Sequence, residues 1–172
     1  MAIYALGDLV PQIHPDAFVH PDAVIIGDVT IGQFSSIWPC AVLRGDSNRI
    51  VIGDRTSIQD GAVIHVTREL PALIGSDCTV GHNAHLEGCQ IYDGALVGSG
   101  ALVHHEAIIE TGALVAAGAV VTHGTVVPSG ALAVGVPARI KLDAANPDVL
   151  SYSVETYVEN AKRYPQLLRR IE

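Results

Sequence analysis

The stretch IYDGALVGSGALVHHEAIIETGALVAAGAVVTHGTVV, Ile91 to Val127, decides the fold. Read in steps of six it gives Ile91, Val97, Val103, Ile109, Val115, Val121 and Val127, all large aliphatics. The same beat runs upstream. Ile13, Val19, Ile25, Ile31, Ile37 and Leu43 keep it until a three-residue insertion in Arg44–Arg49. It resumes at Ile52, Ile58 and Ile64, breaks again over Val66–Leu73, and returns at Ile74, Val80 and Leu86. A slip of one residue then leads into Ile91. An amphipathic helix would space its apolar residues by three and four, and a half-buried strand by two. A beat of six fits a short strand followed by a turn, three times per coil, with one aliphatic pointing inward from each side. The predicted fold class is therefore all-β: a parallel β-helix of triangular cross-section, about 18 residues per turn and about six coils, stacked at roughly 4.8 Å. Gly32, Gly53, Gly75, Gly81 and Gly98 each follow a core aliphatic, where tight bends are expected to need a residue without a Cβ.

Composition agrees. The 172 residues are 49% hydrophobic but only 5% aromatic, so a core must be built from Val, Ile, Leu and Ala. Seventeen glycines and nine prolines exclude a helical bundle, and the apolar content excludes a disordered chain. A net charge of −8 argues against a nucleic-acid or anionic-membrane surface, which would need clustered Lys and Arg. No apolar run approaches the roughly 18 residues of a membrane span. The stretch Met1 to Val10 has no basic n-region and does not read as a signal peptide. Cys40, Cys78 and Cys89 are odd in number and lie in Gly-rich apolar segments, so they read as reduced packing residues of a cytoplasmic protein. The beat stops at Val127. From Asn146-Pro147-Asp148 onward the spacing Val154, Tyr157, Val158, Ala161 predicts a helix lying against the prism. The expected organisation is a β-helix over 1–140 and a C-terminal helical segment over 141–172.

Chemistry is expected where the beat breaks, because a regular coil needs no loop. Polar residues gather there: Arg44, Asp46, Gln59, Asp60, His65, His82, His85 and Glu87. Ile64 and Leu86 occupy the same face of adjacent coils once the loop excess is removed. His65 and Glu87 follow them, so both point outward, stacked about 4.8 Å apart. By the same count His104 stacks one coil beyond Glu87. Two imidazoles and a carboxylate can bind a divalent metal, and His₂Glu with an open position is a known catalytic zinc set. His82 lies on a different face from His65, so two prisms side by side are needed to close such a site, and a three-fold arrangement does this without leftover surface. The isolated His14, His20 and His123 read as ordinary surface residues.

Ala23–Asp60, His65 and Ile74–Cys89 resemble the γ-class carbonic anhydrases and their relatives among the hexapeptide-repeat, left-handed β-helix proteins. Arg44-Gly45-Asp46, Gln59-Asp60-Gly61, His65 and Gly81-His82 carry that resemblance. It implies a left-handed coil, a homotrimer without nucleic-acid or membrane partners, and three metal sites between subunits. It further implies His65 and His82 as metal ligands and Gln59 beside the metal-bound water or bicarbonate. Arg44, Asp46 and Asp60 match a charge network next to the site. The activity implied is that of a carbonate-dehydratase-like lyase, with CO₂ and bicarbonate as substrates, zinc as the first-choice divalent metal and iron or cobalt as alternatives.

This chain departs from the family pattern at the third ligand. After Gly81-His82 the family's His-Gly is replaced by Glu87-Gly88. Three outcomes are open: Glu87 binds as a carboxylate, His85 swings in, or the metal is weak or absent with Glu87 held by His104. Ser57, where relatives often carry Asn, is a milder departure. The loop after His65 offers only Glu69 as an acidic proton shuttle. Two rival readings stand beside hydration. One is an acyl-CoA-dependent transferase or thioesterase with His104 or His85 as base. The other is an inactive trimeric scaffold or assembly subunit.

Overall fold

Among residues 2–172, which the computed structural model describes, twenty short strands precede one helix. Met1, at the start of the expected β-helical unit, lies outside the described residues. The strands stack in parallel on three faces. Face one carries the inward rungs Ile3, Ile25, Leu43, Ile64, Leu86, Val103 and Val121, each paired with the next. Face two carries Ile13, Ile31, Ile52, Ile74, Ile91, Ile109 and Val127. Face three carries Val19, Ile37, Ile58, Val80, Val97, Val115 and Ala133. The hexad phase assigned from sequence is the observed register.

The solenoid has about seven turns rather than six. The two rungs missed are Ile3 and Ala133. A tight turn pairing Leu6 with Leu9 separates Ile3 from Ile13 and hides the first coil from a six-step reading. Ala133 keeps the beat but is not a large aliphatic. Inside, the rungs apart from the exposed Ile3 form one continuous cluster with Ala23, Ala41, Ala62, Ala84, Ala101 and Ala119, these alanines at most 1% exposed. These alanines precede the face-one rungs by two positions. They fill a corner where the chain turns back on itself, and the column leaves no room for larger side chains.

The glycines after core aliphatics serve a purpose other than the one expected. Their φ angles are not positive. Instead, a Cβ on Gly53 would stand 2.5 Å from the Gly75 carbonyl carbon, and one on Gly98 would stand 2.5 Å from the Ala117 nitrogen. Stacked coils approach too closely there for any side chain. The left-handed turn residue lies two positions further on, as at Arg55, Asp77 and Gly100.

Helix α1 (Pro147–Leu167) starts where the sequence placed it. Asn146 caps it by accepting the Asp148 amide at 3.0 Å, and Pro147 sits in the first turn. Leu150, Val154, Val158 and Ala161 form its buried stripe against face three. Tyr157 and Tyr164 meet Phe18 and Trp38 in an aromatic cluster. The Trp38 indole N–H donates to Ser36 Oγ at 2.9 Å and Ser57 Oγ at 3.1 Å. Ser57 is thus committed to seating the indole under the helix. At the far end, Arg139–Lys141 pairs antiparallel with Leu132–Val134 and covers the last rung.

Candidate metal centre

The register breaks at Arg44–Arg49, Val66–Leu73 and Leu86–Ile91 all fall at the corner between faces one and two, on three consecutive coils. That coincidence gathers the charged residues. Register pairs Arg44 with His65 and His65 with Glu87. Each follows a buried rung, so all three side chains leave the prism on the same side.

Glu87 Oε1 lies 2.9 Å from His65 Nδ1, and Asp46 Oδ1 lies 3.2 Å from His65 Nε2. Arg44 in turn holds the other Asp46 oxygen. Carboxylates only accept, so the two bonds to His65 are made together only by a ring with protons on both nitrogens. Burial raises the carboxyl pKa of Asp46, but bonds from Arg44 and His65 outweigh it and hold the group below its ordinary value. Glu87 is likewise pushed up by burial and drawn further down by His65 and His105, so it too stays below the usual range.

His82 stands at a different corner, between faces three and one. Its Nδ1 donates to Asp60 Oδ2 at 2.9 Å. That bond fixes the tautomer and leaves the Nε2 lone pair at the surface, the usual arrangement of a ligating imidazole braced by a carboxylate. The side chain is 45% exposed. Gln59, directly before Asp60, is 5% exposed. Within one chain the structure brings together Arg44, Asp46, His65 and Glu87, and separately Asp60 and His82. Glu69 is exposed on the turn after His65, with Thr67 Oγ1 as its hydrogen-bond partner at 3.4 Å.

Two histidines differ from expectation. His104, expected over Glu87, is exposed. His105 is there instead, with Nε2 3.2 Å from Glu87 Oε2. The reason is the one-residue slip: His104, His105 and Glu106 on one coil oppose only Glu87 and Gly88 on the coil below, and the Glu106 amide bonds the Gly88 carbonyl at 2.8 Å. A count from the rung alone places the wrong histidine. His85 points its Nε2 at the same carboxylate oxygen but stays 3.8 Å away, outside hydrogen-bond reach. His14 and His20 brace their own turns, accepting the Asp16 and Asp22 amides at 3.1 Å.

His65 and Glu87 fit a metal in spacing. Two ligands of one tetrahedral zinc, each bonded at about 2.0–2.1 Å, stand about 3.3 Å apart. The observed 2.9 Å needs to open by only a few tenths of an ångström. Among the described residues of one chain, no three His, Cys, Asp or Glu side chains are arranged to hold a metal ion.

Comparison with known proteins places this geometry. A protein named "Probable carbonic anhydrase" from Methanocaldococcus jannaschii is 49% identical over 150 residues, covering 87% of this chain and 91% of the relative. The chain belongs to the γ-class carbonic-anhydrase-like family. Residues 11–45 also match the family model described as bacterial transferase hexapeptide (six repeats). Mitochondrial gamma carbonic anhydrase 2 of Arabidopsis thaliana is 48% identical over 97 residues, though the match spans only 53% of this chain and 35% of that protein. A crystal structure of a hexapeptide transferase family protein from Anaplasma phagocytophilum superposes with a TM-score of 0.90 at 36% identity, over 95% of this chain and 98% of that one. The family therefore includes proteins named for two chemistries, and the fold alone does not choose between them.

Proposed function

We propose that this protein is a γ-carbonic-anhydrase-like metalloprotein whose site is shared between neighbouring copies of a homotrimer. His65 and Glu87 of one copy and His82 of the next would hold a divalent ion, zinc first. The observation that carries this reading is the state of His82: Asp60 holds its Nδ1, and the side chain is 45% exposed at the prism surface. A ligand so prepared, on a different corner from His65, needs a second prism to complete the set.

A divalent ion held by His65, Glu87 and His82 would supply Lewis acidity of the kind that makes hydroxide available for CO₂ hydration near neutral pH. The chain's own residues do the rest. Asp46, tethered by Arg44, holds His65 Nε2 and fixes the ring plane. Asp60 does the same for His82. Gln59, buried and next to Asp60 in the chain, would orient the reacting oxygen. Glu69, exposed on the loop after His65, passes protons to buffer. Glu87 in place of a third imidazole would place negative charge beside the metal and weaken that Lewis acidity. Turnover is accordingly expected below that of a three-histidine site. Three free cysteines suit a reducing compartment, the cytoplasm. No described helix is long and apolar enough to cross a membrane.

The test combines elemental analysis, light scattering for mass, and stopped-flow CO₂ hydration on the purified protein. A trimer with close to one metal per chain and a rate above buffer supports the reading. A metal-free protein with no rate above buffer contradicts it. Acyl transfer is the second reading, favoured by the likeness to the Anaplasma hexapeptide transferase family structure. An acyl-CoA that raises the melting temperature would favour it, since a ligand that binds only the folded state must stabilise that state.

A further inference from the structure

The histidine over Glu87 is unexplained by the ligand set above. His105 is not in the family motif, and its neighbour His104 was the residue expected there. Its Nε2 is buried and has no hydrogen bond of ordinary geometry, although Glu87 Oε2 lies 3.2 Å away. A buried polar nitrogen without a partner is costly, so its retention asks for a reason. The ring is also given space. Gly88, at φ +55°, lies beneath it, and a Cβ there would stand 2.9 Å from Leu70 Cβ and 3.4 Å from the His105 ring. The Glu106 amide bonds the Gly88 carbonyl at 2.8 Å, and Glu106 itself is left-handed at φ +59°. Backbone and glycine together set the ring against one oxygen of Glu87, while His65 faces the other.

From this arrangement we infer that His105 is a positioning residue: it holds Glu87 Oε2 so that Oε1 is presented to the metal beside His65. The inference rests on the metal reading and deepens it. A flexible carboxylate has two equivalent oxygens and a free χ3, whereas the imidazole of the family pattern is rigid. Replacing that imidazole by Glu87 leaves an orientation to be fixed, and His105 fixes it from the coil above. The orphaned Nε2 acquires its bond when Glu87 turns the few tenths of an ångström that opening from His65 requires. His85, at 3.8 Å, contributes less.

The experiment measures zinc affinity by chelator competition, and the visible spectrum of the cobalt-substituted protein, on the full-length chain. His105→Ala should weaken zinc binding by about tenfold or more, the usual range for an outer-shell partner, and change the cobalt band. His105→Gln, whose side-chain N–H reaches the same place, should keep affinity within about threefold. In the Glu87→His background, His105→Ala should change nothing, because no carboxylate remains to be held. Unchanged zinc affinity in His105→Ala overturns the inference. So does an equal loss in the Glu87→His background, which would mark His105 as merely structural. A parent chain that binds neither zinc nor cobalt, while Glu87→His binds both, removes the metal reading of Glu87 and this inference with it.

Discussion

Two corners of the prism each contribute to a proposed metal site shared with a neighbouring copy, and they are built by different rules. At the corner between faces three and one five consecutive coils turn alike. Cys40, Gly61, Asn83, Gly100 and Gly118 all take left-handed φ angles between 57° and 68°. Each donates its amide to the coil below, as in Gly61 to Pro39 at 3.0 Å and Asn83 to Asp60 at 2.9 Å. His82 rides on this ladder, and one carboxylate suffices to orient it. At the corner between faces one and two the coils disagree in length, an amide ladder runs only through Gly88, Glu106 and Gly124, and the charged side chains are held by one another. Arg44, Asp46, His65, Glu87 and His105 form a chain of charge contacts across four coils. Regular stacking provides a rigid post, and broken stacking provides a place where side chains converge. A shared site needs one of each.

That contrast can be broken most severely at the rung both corners share. Ile64, fully buried on face one, lies under His65. Ile64→Ala should cost about 2–5 kcal/mol of unfolding free energy, read by denaturant titration. A loss below about 1 kcal/mol would mean the column is not packed as described.

A matched pair of glycines sharpens the contrast next. Gly88→Ala at the irregular corner meets both a positive φ and Leu70 Cβ at 2.9 Å. Gly100→Ala at the regular corner meets a positive φ of 67° but nothing within 4 Å. The first should lower stability by about 2–3 kcal/mol and the second by roughly 1–2 kcal/mol. Equal losses would mean that crowding does not distinguish the two corners.

Smaller still is the difference in acid stability. Asp46 and Glu87 have folded pKa values below their ordinary ones. Their contribution is therefore present above the ordinary carboxylate range and lost as pH falls through the lowered values. His65→Ala removes a partner from both. Its stability should be lower near neutral pH, and its decline below pH ~4 shallower than that of the parent. His82→Ala should leave this acid limb unchanged, and an equal flattening there would erase the distinction.

The smallest effect concerns the thiols. Cys40 lies exposed on the regular corner, whereas Cys89 is sealed behind the irregular one, where burial pushes its thiol up to about 12. Cys78 is pushed up to about 12 as well, by burial first and then by Asp93. A thiol reagent at pH 8 should modify Cys40 alone in the folded protein, as mass spectrometry would show. Fast labelling of Cys89 would mean that the corner opens.

The difference between the corners also explains what was legible in the sequence. Face register was readable because each rung demands a large aliphatic, and a six-step beat has one phase. The end coils were not, because Ile3 is cut off by the Leu6–Leu9 turn and Ala133 is too small to register as a rung. His65 and Glu87 announced themselves by sitting at breaks in the beat. His82, gathered with them, was legible as a second imidazole on another face, and the family motif matched it to a ligand position. His105 was missed because three residues oppose two across the slip, so counting from Val103 lands one residue short. The signal that could have found it was Gly88: a glycine beside a charged residue, at the coil one residue too short, marks a place where something leans in from above. The role of Ser57 under the Trp38 indole was equally invisible, since it depends on a helix a hundred residues downstream.

The most direct measurement is complementation between two site-deficient chains. His82→Ala chains keep His65 and Glu87, and Glu87→Ala chains keep His82. Each alone should bind almost no zinc. Unfolded together in equal amounts and refolded, they should form mixed trimers in which one interface joins the intact halves. The mixture should then recover about a quarter of the parent's zinc content, as random three-fold assembly requires. Zinc in the mixture no higher than in either variant alone would contradict a site shared between copies.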